Sequence, residues 1–131
     1  LLVEPAALLT AAPKLLGPDR RKMSKSYENG LYLSDDPSVI EKKVMSAITD
    51  PARVKREDPG HPEICLIFDY HKLQSPKAAC AQVEKDCRSA LLGCVEDKRQ
   101  MAKILNDFLD PIRAKRRELL AHPKRIDEIV H

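Results

Sequence analysis

Met101-Ala102-Lys103-Ile104-Leu105-Asn106-Asp107-Phe108-Leu109-Asp110-Pro111-Ile112 spaces its apolar residues by three and four. That spacing puts Met101, Ile104, Leu105, Phe108, Leu109 and Ile112 on one face of an α-helix, and Leu119 and Leu120 continue the stripe. Pro111 has no N–H and crowds the carbonyl four residues back, which predicts a kink near residues 107–110 or two abutting helices. Upstream, Ile40, Val44 and Ile48 recur every four residues with Ala47 beside them, a second buried stripe. Asp36 fits the N-cap of that helix and Pro37 its first position, where a missing N–H costs nothing. Asp50-Pro51 ends it. A further helix is expected from Ser75-Pro76 to about Ala90, broken by Gly93, and a short last one over 123–130 with Ile126, Ile129 and Val130.

The segments between are less regular. Ile64 to Tyr70 fits either a short strand or a helical turn. Residues 51–63 hold three Pro and one Gly among many charges, the composition of a surface loop. Pro5, Pro13, Gly17, Pro18 and Gly30 punctuate residues 1–33, which are expected to be irregular. The fold class is therefore mainly α: a helical body behind an irregular arm.

Composition agrees. The chain has 131 residues, 43% of them hydrophobic, yet only Phe68, Phe108 and three Tyr are aromatic, so the core must be aliphatic. Charge is dense at 33% but nearly balanced at +3, so its distribution matters more than its total. No apolar run has the length of a membrane span and no signal-peptide pattern is visible, which points to a cytoplasmic protein. Four Cys in such a chain argue for reduced thiols or a metal site over a disulfide framework. Leu1 in place of an initiator Met suggests a piece of a longer protein.

The chemistry concentrates in Lys22-Met23-Ser24-Lys25-Ser26. Lys14, Arg20, Arg21, Lys22 and Lys25 fall in a twelve-residue window with one acid, Asp19. Lysine ammonium groups follow a polyphosphate as point charges, while Ser hydroxyls and loop N–H groups add hydrogen bonds. The alternative is a solvated basic turn. The wording decides: this pentapeptide has a chance frequency on the order of one in a million per window. It matches letter for letter the second signature of class I aminoacyl-tRNA synthetases.

The flanks narrow the resemblance. Leu2-Val3-Glu4-Pro5, Leu8-Leu9-Thr10, Leu16-Gly17 and Asp19 resemble the approach to this loop in bacterial tryptophanyl-tRNA synthetases. So do Tyr27, Asn29, the run Lys43 to Val54, Asp58-Pro59-Gly60-His61-Pro62-Glu63-Ile64-Cys65 and Pro111-Ile112-Arg113. The family usually has Asp-Gly before the loop, where this chain has Asp19-Arg20-Arg21; losing the Gly removes easy access to φ > 0.

The resemblance implies ATP-dependent activation of tryptophan, with Mg, followed by transfer to tRNA(Trp). Residues 1–33 would be the edge of a class I Rossmann-type catalytic domain. Residues 34–131 would be a helical anticodon-binding domain, incomplete at its C-terminus. Lys22 and Lys25 would act catalytically on the pyrophosphate, and Met23, Ser24 and Ser26 would complete the ATP-phosphate site. The full-length family member is a homodimer without membrane attachment. The other signature of class I, a His-x-Gly-His type sequence, has no match around His61, His71, His122 or His131, so the piece alone is expected to be inactive. The alternative function is a non-catalytic tRNA-binding or assembly module.

Two further patterns stand out. Some family members hold a [4Fe-4S] cluster through Cys-x22-Cys-x6-Cys-x2-Cys. Cys65, Cys87 and Cys94 match its first three positions, with the first gap one residue short, and Asp97 stands at the fourth. Carboxylate is a poorer iron–sulfur ligand than thiolate, so small buried thiols and a zinc site stand as alternatives. Arg113, Arg116 and Arg117 lie together near the end of the stripe helix. They would track tRNA phosphates or form a solvated face that complements the helix C-terminus.

Overall fold

The computed structural model describes residues 6–9 and 14–130. Leu2 to Pro5 and Thr10, quoted for the resemblance, lie outside them. Five α-helices follow one another: α1 Pro37–Met45, α2 Leu66–Gln74, α3 Lys77–Arg88, α4 Cys94–Ala121 and α5 Pro123–Val130. Among the described residues before α1, a single antiparallel bridge joins Leu16 to Lys22 and one 3-10 turn spans Lys25–Tyr27. The expectation of a helical body behind an irregular arm holds.

The core lies where α1 and α2 meet α4. Ile40 and Val44 of α1, Leu66 and Ile67 of α2 and Met101 of α4 are fully buried there, with Ala47, Phe68, Tyr70, Ala102 and Leu109 around them. Burying each large aliphatic side chain contributes roughly 1.5–3 kcal/mol. A buried polar chain crosses the same interface: His71 Nε2 meets Asp97 Oδ1 at 2.9 Å and His71 Nδ1 meets Ser75 Oγ at 2.7 Å. Ile64 to Tyr70 thus resolves as the start of a helix, not a strand.

Several boundaries differ from the sequence expectation. α1 stops at Met45, because the Ser46 hydroxyl donates to the Lys43 carbonyl and Ala47 N–H reaches back only to Val44. Ile48 therefore leaves the stripe and is 47% exposed. Asp36 occupies the N-cap position of α1 without a side-chain capping bond. Ser75 does not cap α3; the N-cap is Pro76, and the Ser75 hydroxyl is engaged with His71. α3 ends before Gly93 does anything. Ala90 adopts φ 59°, Ala90 N–H donates to Cys87 and Leu91 N–H to Asp86, a Schellman closure built on an Ala. Gly93 is instead the N-cap of α4.

α4 is one helix, not two abutting ones. Pro111 and Asp107 are both exposed, so the proline lies on the solvent side of the helix. The long helix also rotates part of the expected stripe outward: Phe108 is 51% exposed and Ile112 and Leu120 are exposed too, while Leu109 stays buried.

Arg113 is the clearest reversal. It does not share a solvent face with Arg116 and Arg117; it is buried, and they are exposed. Its Nε donates to the Asp35 carbonyl at 2.7 Å, Nη2 to Asn106 Oδ1 at 2.9 Å and Nη1 to Asp110 Oδ1 at 2.9 Å. These bonds leave it no role as a phosphate contact. Arg113→Leu should lower unfolding stability by about 2–3 kcal/mol, since three partners lose a charged donor that is itself buried, while Arg116→Ala should stay within about 0.5 kcal/mol. Urea unfolding followed by circular dichroism measures both.

Candidate functional site

The basic pentapeptide occupies the arm of a small hairpin. Gly17 N–H donates to the Arg21 carbonyl and Arg20 N–H to the Gly17 carbonyl, both at 2.8 Å, and the Leu16–Lys22 bridge closes the base. Pro18 and Asp19 make the turn, and Arg20 follows in the left-handed region at φ 63°. A turn followed by a left-handed residue is a standard three-residue hairpin loop, normally finished by Gly. Here that position is filled by Arg. Arg20 is held there by its guanidinium, which donates to the Ile64 carbonyl.

Beyond the hairpin, Ser24 caps the 3-10 turn Lys25–Tyr27, its Oγ accepting from Ser26 N–H at 3.2 Å. Glu28 closes the turn at φ 51°. Lys22, Lys25 and Ser26 are exposed, Ser24 is half-buried, and Met23 packs against the core from its half-buried position. So the apolar residue anchors the loop while both ammonium groups face solvent. Arg21 lies 4.4 Å over the Tyr27 ring, a cation–π contact across the loop.

Asn29 fastens these parts together. Its Oδ1 accepts Ser24 N–H at 2.8 Å, and its Nδ2 donates to Asp19 Oδ1 at 2.8 Å and to the Lys22 carbonyl at 3.3 Å. The Asn29 amide, with Arg21 N–H and the Arg21 guanidinium, pulls the Asp19 carboxyl down to about 2. The loop is tied to the body by Tyr70 Oη, which donates to the Leu16 carbonyl at 2.6 Å, and by Ile48 N–H, which donates to the Pro18 carbonyl at 2.9 Å. Between loop and α1 lies a cleft of about 330 Å3 lined by Asp19, Tyr27, Asn29 and Lys43 among others. Sequence reading placed the lysines but not this fastening. Asn29 was visible only as part of the resemblance.

Cys65, Cys87, Cys94 and Asp97 are not gathered into one set of metal ligands in this structure. All four thiols are free, and among the described residues no three His, Cys, Asp or Glu side chains converge on a common point for a metal. The reasons are local. Burial pushes the Cys65 thiol up to about 11 and, chiefly for the same reason, raises Cys87. Asp97 is committed to His71. The Arg53 guanidinium donates to the Leu92 carbonyl at 2.8 Å and approaches Cys94 Sγ at 3.8 Å, so a cation stands where a cluster would need room. Gly60 completes the filling; a Cβ there would fall 2.3 Å from Cys87 Sγ.

The same contacts explain the run Asp50-Pro51-Ala52-Arg53. Asp50 Oδ2 accepts His61 N–H and His61 Nδ1, both at 2.8 Å, and Oδ1 accepts Ala52 N–H at 2.9 Å. Burial raises the Asp50 carboxyl, but the His61 and Ala52 bonds outweigh it and leave the carboxyl lowered. The run closes a loop. A basic surface unforeseen in the sequence lies next to it, where Arg53, Lys55, Arg56 and Arg99 border a cleft of about 400 Å3 at the start of α4.

Comparison with known proteins follows the same line. The family described as class I tRNA synthetases (W and Y) matches residues 2–110. The tryptophan–tRNA ligase of Aquifex aeolicus is 52% identical over 127 residues, 96% of this chain and 31% of that protein. That of Thermotoga maritima is 38% identical over 128 residues, 97% of this chain and 39% of the other. The crystal structure of tryptophanyl-tRNA synthetase from Campylobacter jejuni, complexed with ADP and tryptophan, superposes with a TM-score of 0.81. It is 28% identical and covers 88% of this chain and 36% of that one. The chain thus spans about a third of the length of the curated relatives it matches.

Two measurements test the local chemistry. The Asp19 bonds need the carboxylate, so their contribution is complete above the ordinary value of 3.8 and is lost as pH falls through about 2. The Asn29 side-chain amide resonances should stay constant from about pH 7 to 4 and move only below; a midpoint near the ordinary value would remove the Asn29–Asp19 bond. Cys65 should be the slowest of the four thiols to react with iodoacetamide near pH 8 by mass spectrometry, because the thiolate is the nucleophile.

Proposed function

This chain belongs to the class I tryptophanyl-tRNA synthetase family, and we propose that within the longer protein it supplies the loop that grips the pyrophosphate of ATP. The observation that carries the proposal is the exposure of Lys22 and Lys25 on a backbone fixed by Met23 and Asn29. Among the described residues neither ammonium group has a hydrogen-bond or ion-pair partner to give up before meeting phosphate. Each charge-assisted bond contributes roughly 1.5–3 kcal/mol.

The reaction is activation of tryptophan: its carboxylate attacks the α-phosphorus of ATP, the bond to the β,γ-diphosphate breaks, and pyrophosphate leaves. Negative charge grows on that leaving group in the transition state, and preorganised cations aimed at it lower the barrier. Lys25, on the 3-10 turn, takes the transition-state contact; Lys22, at the hairpin base, takes the ground-state one. Ser24 and Ser26 add hydroxyl bonds. Magnesium travels with the nucleotide, held by its phosphates. The adenylate and the tryptophan pocket belong to the part of the protein outside this chain.

Transfer to tRNA(Trp) calls for a phosphate-following surface. Arg116 and Arg117 remain available for it on the exposed face of α4, with Arg113 removed from the set by its burial. The longer protein acts as a homodimer by the same family reading, in the cytoplasm; no helix among the described residues is long and apolar enough to cross a membrane.

The test is tryptophan-dependent pyrophosphate exchange by the full-length protein. Lys25→Ala should lower kcat by about a hundredfold, the scale of losing one preorganised donor to developing charge. Wild-type exchange from that variant would sink the assignment and leave the reading as a tRNA-binding or assembly module.

A further inference from the structure

We propose that Asn29 is a positioning residue for the loop lysines, with Asp19 as its partner; this rests on the assignment of Lys22 and Lys25 to the ATP phosphates. Asn29 lies outside the pentapeptide and is buried, whereas the two lysines it serves are exposed. Among the described residues its side-chain amide makes three bonds, and all end on residues 19–24. None of them reaches the helical body. Removing the amide therefore frees the loop without unpinning α1 from α4.

The geometry assigns each bond a job. The bonds to the Lys22 carbonyl and to Ser24 N–H hold the backbone on either side of Met23, so one planar amide sets the spacing between the hairpin that carries Lys22 and the turn that carries Lys25. The bond to Asp19 stops the amide from turning. Asn29 itself is wedged: a Cβ on Gly17 would fall 2.5 Å from the Asn29 carbonyl. Only a side chain with an acceptor toward Ser24 and a donor toward Asp19 fits both ends. A carboxylate at 29 would face the Asp19 carboxylate and be repelled.

Fixing the backbone while leaving the ammonium groups mobile is how a loop presents charge to a reacting phosphate without losing entropy at that moment. The function of Asn29 is then felt in kcat, since the lysine contact it positions is one made in the transition state. A purely structural Asn would instead change stability and the fraction of active enzyme.

The experiment uses the full-length protein in tryptophan-dependent pyrophosphate exchange, with kcat expressed per titrated active site and melting temperature recorded. Asn29→Ala and Asn29→Asp should each lower kcat at least about tenfold, with the KM for ATP and the melting temperature close to wild type. The pair Asp19→Asn/Asn29→Asp re-forms the 19–29 bond with the roles exchanged but not the donation to the Lys22 carbonyl, so it should recover part of the loss seen in Asn29→Asp. Near-wild-type kcat in Asn29→Ala overturns the proposal. So does a double variant no better than Asn29→Asp, which decides the matter even where a single variant is less stable. Lys25→Ala is run beside them: if it keeps wild-type exchange, the phosphate reading itself has failed, whereas a crippled Lys25→Ala with an unaffected Asn29→Ala defeats only the role of Asn29.

Discussion

Asp35 receives the Lys43 ammonium at 2.7 Å and Tyr32 N–H at 3.0 Å on one carboxylate oxygen, while its carbonyl takes the Arg113 guanidinium at 2.7 Å. Three parts of the chain meet in that residue: the arm before α1, the second turn of α1, which carries Lys43, and the second half of α4. Lys43 also donates to the Gly30 carbonyl at 2.7 Å and lies 4.6 Å over the Tyr32 ring. A half-buried cation with two oxygens and a π face has its charge well compensated. The arm is therefore fastened at its end to the helices, just as Tyr70 and Arg20 fasten it near its beginning.

That fastening explains how an irregular segment can carry chemistry. The residues from Leu16 to Asp35 have almost no repeating structure, so their order comes from side-chain bonds to backbone atoms rather than from ladders. Such bonds are individually modest, about 0.5–1.5 kcal/mol net, but they fix the loop at both ends and once in the middle. The side chains of Lys22 and Lys25 face solvent. Order in the backbone with freedom in the charged tips is what a loop needs if it must follow a phosphate as bonds change.

How much of this is legible in sequence follows from which interactions are periodic. The stripes Ile40–Val44 and Met101–Leu105–Leu109 are read directly, because burial on one helix face imposes a period. Ile48 and Phe108 break the reading because helix ends and helix rotation are set by tertiary contacts, Ser46 against Lys43 in the first case and the packing of α1 and α2 on only part of α4 in the second. Arg113 is misread for a related reason: its neighbours Arg116 and Arg117 look the same in sequence, and only the distant Asp35 carbonyl distinguishes them. The pentapeptide is legible because its wording is rare. Its fastening is not, since Asn29 reaches Asp19 and Lys22 across a fold that no local pattern announces. Arg20 shows the converse. A missing Gly reads as a lost left-handed position, yet the turn and the bond to the Ile64 carbonyl hold an Arg there, at a strain cost on the order of 1 kcal/mol.

The cysteine region shows why spacing alone does not make a metal site. Cys65 stands just before α2, Cys87 on α3 and Cys94 at the start of α4, and of the three only Cys65 is fully buried. A cluster would require thiolates, and the surroundings oppose them: burial favours the neutral thiol at Cys65 and Cys87. It would also require the fourth ligand, but Asp97 already joins α4 to α2 through the buried His71, and turning it toward the cysteines would leave that imidazole without its acceptor. The Arg53 guanidinium then occupies the remaining space with bonds to Leu92 and Arg56 carbonyls at 2.8 and 2.6 Å. The joining seen here is thus a His–Asp pair between α2 and α4 and a protein cation that ties the loop of Arg53 to the Leu92 carbonyl just before α4.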